Sequence, residues 1–453
     1  VRGLVNKFEK WLLTVFFIEL FVGGGGRLID FGVLSIRQVL FLLVVATFLF
    51  RIIKTRAFFD KKVNTFLLFD RTAIAIYMLM GWFVVSAVIG AINGNALSVI
   101  VMDFLRVAFF ALYFPLAYYI SKDRYEKETI ITILKYSSLG VAVFTIVISL
   151  LGKTVFSSNF ASYYYFLNDV MNDDLFFRPS HSVFYKSHFF VLMGVFLSLN
   201  ALLSRKHSKL DIANVVLGLI SIVWSETRGF LLALMFGIMF IVFLDVKTFT
   251  DAIRGLKNKF LTVVQSKVMM RKIAVSLMIV AAVPFMYKYM TIERFGQDVA
   301  APTEEGTESS KGDKAEQEIN DVSVNARLDF ILASKDLVFK SVPAFVVGSG
   351  YGTEIAGRDT GIEMSFLDIL VEQGIIGLAL WLYVCFILYY NYHMYYVKKG
   401  VPDTNDVSLL ACIAALGLLT NINPFINNPL GIGFLLIVLV LSKRKAESIK
   451  TTA

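Results

Sequence analysis

An all-α, polytopic membrane fold of about twelve transmembrane helices is what this sequence predicts, and three observations carry the prediction. Hydrophobic residues fill 57% of the 453 positions and charged residues only 17%, against about 25% charged in a typical soluble domain. The apolar residues fall in runs bounded by charges, and most approach the roughly 20 residues needed to cross a bilayer. Twelve such spans would absorb nearly all the apolar content, so no separate soluble core is left. Composition thus excludes a water-soluble enzyme, a disordered chain and a disulfide-stapled secreted scaffold. Cys385 and Cys412 lie in apolar runs and have neither metal spacing nor a disulfide framework.

In chain order the predicted spans are 11–22, 28–50, 72–92, 97–120, 130–151, 182–203, 212–224, 229–244, 273–290, 365–390, 407–419 and 425–441. The first is short and carries Glu19, but it lacks the small-residue cleavage site of a removed signal peptide. Twelve crossings put both termini on one side. Of the 44 Lys and Arg, 28 then fall on the termini and the even-numbered connections, while the opposite connections 93–96 and 420–424 hold none. Positive charge is retained on the cytoplasmic side, so both termini are predicted there. The net charge of +9 is this asymmetry, and no nucleic-acid partner is implied.

Three regions follow: helices and short loops over 1–290 with an outer loop at 152–181, a long outer loop at 291–361, and the last helices with a basic tail over 362–453. From 291 to 321 there are nine acids against three bases among Gly, Ser and Pro, which predicts a flexible segment. From Ser323 the helical spacing of Ala326, Leu328, Phe330, Ile331, Ala333, Leu337 and Val338 predicts an ordered helix, with Ser323 or Asn325 as its cap.

A charge inside a span costs several kcal/mol unless it pairs or meets water. Arg37, Asp103, Arg106 and Lys186 all fall in the outer half of predicted spans. Asp103 and Arg106, three apart, can neutralise each other; Lys186 can snorkel; Arg37 has no acid within helical reach. Arg228 follows Ser225-Glu226-Thr227 between two short apolar runs, which predicts a recessed turn with Arg228 at a helix N-terminus. A guanidinium beside free helix N–H groups suits phosphate, and a salt bridge to Glu226 is the plainer alternative. Arg178, Arg327 and Arg358 lie on the same predicted side. The set suggests an outward cavity for a lipid-linked phosphate or pyrophosphate, with no metal and no cofactor. Glu363 stands at the mouth of the tenth span, placed either to take a proton from a sugar hydroxyl or merely to favour a helix start. Gly348-Ser349-Gly350-Tyr351-Gly352 signals tight turns. Tyr163, Tyr164 and Tyr165 are candidates for positioning phosphate and sugar.

This order of features resembles the O-antigen polymerase and ligase superfamily, membrane glycosyltransferases of the GT-C type. The resemblance covers 224–441 and rests on Thr227-Arg228-Gly229, Arg327, the glycines from Gly348 to Gly352, and the run from Phe366 to Gly377. It implies undecaprenyl-diphosphate-linked oligosaccharide as substrate, membrane lipids as surroundings, and a chain-length-regulating membrane protein as a candidate partner. Essential arginines of the family map onto Arg228 and Arg327. Ligases carry a His, often followed by Asn, where this chain has Glu363-Met364, so a polysaccharide polymerase is favoured over a ligase acting on lipid A core. A lipid-linked oligosaccharide flippase is the rival from another class. It predicts related halves and helices broken at the midplane, and the halves here do not resemble each other.

Overall fold

In the computed structural model the residues described are 5–26, 29, 34–205, 207–245, 267–295, 322–359, 361–399 and 403–450. Most of the acidic stretch predicted to be flexible lies outside them, as does most of the basic connection after the eighth predicted span. The protein is mostly helical. The helices are α1 (Lys7–Val22), α2 (Ile36–Lys54), α3 (Arg71–Ile92), α4 (Leu97–Val107), α5 (Tyr113–Tyr119), α6 (Lys127–Lys153), α7 (Phe160–Val170) and α8 (His188–Leu203). They continue with α9 (Lys209–Trp224), α10 (Arg228–Asp245), α11 (Lys267–Phe295), α12 (Val322–Val338), α13 (Val342–Val347), α14 (Ser365–Lys399), α15 (Thr404–Leu419) and α16 (Pro429–Lys450).

Each predicted span overlaps a helix among the described residues, although 28 and 30–33 of the second span lie outside them and the sixth opens on a strand. Among the described residues five helical segments are long and apolar enough to cross a membrane: α2, α3, α4 continued through α5, α6 and α14. Local capping explains several starts. Ser35 with Gln38 and Ser208 with Asp211 form capping boxes on α2 and α9, and Asp70 accepts from the first backbone N–H groups of α3. The core is centred on α8, apolar on all sides and buried along nearly its whole length. It packs against α6, α9 and α15, as expected of a helix without a polar face.

Several features differ from the predictions. The segment 175–185 is a hairpin of β1 (Leu175–Phe177) and β2 (Val183–Tyr185), so the fold is not purely α. Its alternation is too short to stand out beside the apolar run that follows. Because β2 ends at Tyr185, α8 begins at His188 and Lys186 lies in the connection rather than in a span. The helix of the long loop begins at Val322, ahead of both predicted caps.

The tenth predicted span is broken at Gly374, whose φ of 65° and ψ of −173° are not helical. A break frees backbone carbonyls that lipid cannot satisfy. The glycine-rich segment supplies donors: Ser349 N–H to Val371 O at 2.8 Å and Gly350 N–H to Glu372 O at 2.9 Å, with Trp82 Nε1 to Gln373 O at 2.9 Å. A Cβ on Gly350 would stand 2.1 Å from the backbone nitrogen of Gly90 on α3, and its φ is 85°. The glycines therefore let this segment wedge between α3 and α14. Their N–H groups are spent inside the protein.

Candidate functional site

Two turns and two loops meet at one end of the bundle and enclose a cavity of about 340 Å³, lined among others by Arg178, Lys186, Arg228, Arg327, Glu363 and Asn423. That volume is within the range typical of small-molecule pockets, roughly 300–1,000 Å³. Each charged side chain arrives by a different local device.

Arg228 is the first residue of α10, where unpaired helix N–H groups and the dipole favour an anion. The tight turn before it is made by Glu226, whose φ is 50°. The carboxylate of Glu226 is buried, accepts a hydrogen bond from Ser180 Oγ, and leaves Oε2 without a hydrogen-bond partner. The turn is thus tied to the β1–β2 hairpin. Arg178, at the hairpin's own turn, strengthens that tie: its Nε donates to Ser225 O at 3.3 Å and its Nη2 to Thr227 Oγ1 at 3.0 Å. Lys186 reaches the rim while paired with Asp174 at 2.7 Å.

From the other side, Arg327 on α12 extends Nη2 to Glu363 Oε2 at 3.5 Å and to Ile422 O at 3.4 Å, while its buried Nε has no hydrogen-bond partner. Glu363 is held by its neighbours rather than by its own helix. Ile362 N–H donates to Asp368 Oδ1 at 3.3 Å, and Ser365 N–H donates to Thr420 O at 2.9 Å. The connection between α15 and α16 forms the remaining wall. Asn427 Nδ2 donates to Asp368 Oδ2 at 2.8 Å, Ser365 Oγ donates to Asn427 Oδ1 at 2.8 Å, and Ile426 N–H donates to Thr420 Oγ1 at 2.8 Å.

That wall was missed from sequence. The connection 420–424 registers there only as free of charge, yet Asn423, Phe425 and Asn428 line the cavity. Four asparagines, Asn421, Asn423, Asn427 and Asn428, around Pro424 were the available signal. Asn423 Nδ2 is buried without a hydrogen-bond partner, an arrangement that marks a place for a ligand oxygen or an ordered water.

The other candidates lie elsewhere. Arg37 is buried on α2 and pairs through Nε with Glu19 Oε2 of α1 at 3.0 Å, while Nη1 donates to Gly24 O at 3.0 Å. Its partner is eighteen positions away, out of reach of any same-helix pairing rule. Arg106 and Asp103 bond each other, and Asp103 Oδ2 also accepts from Gly352 N–H at 2.9 Å. This pair sits behind the 361–364 segment, near Asp368. Arg358 lies over the Phe330 ring at 4.9 Å. Tyr163 is buried and donates to Ile148 O at 2.9 Å, Tyr164 packs on Phe177, and Tyr165 is exposed. None of these lines the cavity. Among the described residues no cluster of His, Cys, Asp or Glu is arranged to hold a metal ion.

A mostly helical body with several helices long and apolar enough to cross a membrane defines an integral membrane protein, and its cavity is lined by Arg178, Lys186, Arg228, Arg327 and Glu363. No protein-family model matches the chain. It is similar to an O-antigen polymerase of Shigella flexneri, 24% identical over 452 residues that cover 98% of this chain and 97% of the relative. The resemblance first carried by residues 224–441 thus runs along nearly the whole chain, and it lies with the polymerase branch.

Proposed function

We propose that this protein is a polysaccharide polymerase, a membrane glycosyltransferase of GT-C type acting at the outer face of the bacterial inner membrane. In this reading twelve helices cross the bilayer, both termini are cytoplasmic and the cavity opens to the periplasm. The donor is a growing glycan on undecaprenyl diphosphate, and the acceptor is the non-reducing end of a lipid-linked repeat unit. The observation that carries the proposal is that Arg228, Arg327 and Glu363, from three separate parts of the chain, line one cavity.

The acceptor hydroxyl oxygen bonds to the anomeric carbon of the donor as the bond from that carbon to the diphosphate oxygen breaks. The hydroxyl proton passes to the Glu363 carboxylate. The charge that develops on the departing undecaprenyl diphosphate falls between the Arg228 and Arg327 guanidiniums, which need no metal to take it. An in-line displacement of this kind inverts the anomeric centre. Similarity to a polymerase along nearly the whole chain supports this reading over both the ligase and the flippase.

Reconstitution of the purified protein with a purified lipid-linked repeat unit, with and without chelator, tests the proposal. The expected result is a ladder of polymer lengths without lipid A core and unaffected by chelator. Transfer only when lipid A core is added would select the ligase, movement of intact lipid-linked units without new bonds would select the flippase, and an absolute metal requirement would remove the arginine-only mechanism.

A further inference from the structure

A second cationic cavity, about 360 Å³, lies at the other end of the bundle. Leu430 of α16 lines the arginine cavity and Lys443 of the same helix lines this one. Thirteen residues separate them, roughly 20 Å at 1.5 Å per residue. Its cations are Lys61, Lys62, Arg124, Lys443 and Arg444, and its carboxylates are Asp123 and Glu447.

The cations differ in how they are employed. Lys443 is buried and bonds Asp70 and Tyr113, and Arg444 is engaged by Glu447 and by the carbonyl of Ile120. Both are thus held by partners within the protein. Arg124 donates through Nη1 to Tyr118 O at 2.6 Å and lies 3.9 Å from the centre of the Tyr118 ring. Burial, together with the nearby charges of Arg444 and Arg51, holds its pKa below the usual arginine range. The lining as a whole sets five cations against two carboxylates, so the cavity is net positive. Lys61 and Lys62 are exposed at the rim, with no ion-pair partner among the described residues.

The same loop carries an apolar tip. Ala57 and Val63 are buried and anchor the loop, while Phe58 and Phe59 between them are turned outward, Phe59 to 92% exposure. Exposed phenyl rings next to a cationic cavity suit a headgroup and its acyl chains better than a dissolved ion, since basic pockets at membrane surfaces take anionic headgroups.

We infer that this cavity is a binding site for a phosphate-bearing anion, specifically the headgroup of an anionic phospholipid, gripped by Lys61, Lys62 and Arg124 beside the apolar tip of Phe58 and Phe59. The site is independent of the proposed polymer chemistry and is tested separately from it.

The test is native mass spectrometry of the full-length protein in detergent, with phosphatidylglycerol, phosphatidylcholine and inorganic phosphate as probes. Phosphatidylglycerol is expected to bind more tightly than phosphatidylcholine. At roughly fivefold per lysine, Lys61→Gln/Lys62→Gln should weaken the tightest phosphatidylglycerol site about thirtyfold. The charge-matched Lys7→Gln/Lys10→Gln, exposed on α1 outside the cavity, should retain it. Persistence of that site in millimolar phosphate supports a lipid occupant, while displacement keeps the phosphate site but assigns it to a soluble anion. Equal affinity for the two lipids, or an equal loss in the control variant, overturns the inference.

Discussion

Arg327 and Glu363 face each other at 3.5 Å, from α12 and from the segment just ahead of α14. The guanidinium is about three-quarters buried, and its Nε has no hydrogen-bond partner. If the proposed function holds, a diphosphate entering the cavity would compete with Glu363 for this cation, because a bidentate phosphate contact is stronger than one long ion pair. Donor binding would thereby release the carboxylate that accepts the proton. In this picture Arg327 both holds the leaving group and withholds the base until the donor is present.

Glu363→Gln keeps the shape of the side chain and removes its capacity to take a proton. Polymer formation should fall by about 10²–10⁴-fold, the usual contribution of a positioned base, with normal protein levels. Unchanged polymer length and yield would rule the role out.

Arg228→Lys and Arg327→Lys preserve charge and lose the planar fork. Each should lower polymer yield by about 10²–10³-fold, comparable to removing one donor to a developing anion. Membrane abundance and thermal midpoint should stay near wild type. If lysine supports full activity at both positions, charge alone is sufficient and bidentate recognition is refuted.

Arg37→Gln makes the opposite prediction. Breaking a buried ion pair leaves Glu19 uncompensated and costs about 3–5 kcal/mol, so the protein should lose abundance and melt earlier. Adding Glu19→Gln should restore much of the stability, and polymer length with it. Normal stability with lost activity would instead return Arg37 to the substrate site.

Asn423 offers a test in which stability and activity separate. Its buried Nδ2 lacks a hydrogen-bond partner, and burying such a donor costs about 1–3 kcal/mol. Asn423→Leu should leave the thermal midpoint unchanged or raise it while polymer yield drops. A lowered midpoint would mean that the carboxamide has a structural task.

Gly350→Ala tests the wedge between α3 and α14. A Cβ there meets the Gly90 backbone, and overpacking costs about 1–3 kcal/mol beyond the strain of positive φ. The purified variant should unfold at lower temperature; an unchanged midpoint would show that the contact can relax.

Composition and hydropathy by themselves determined that this is a helical membrane protein, because lipid admits only long apolar helices or closed barrels and leaves a plain record in the sequence. Arg228 was also legible, since a charge between two short apolar runs has few places to sit. Tertiary structure decided which charges converge. Arg37 and Arg228 look alike as cations beside apolar runs, yet one is buried against Glu19 on a neighbouring helix and the other lines a cavity with Arg327 and Glu363. The asparagine wall and the hairpin that carries Arg178 were equally hidden. Pairing across helices depends on packing between residues far apart in sequence, and local periodicity carries no record of it.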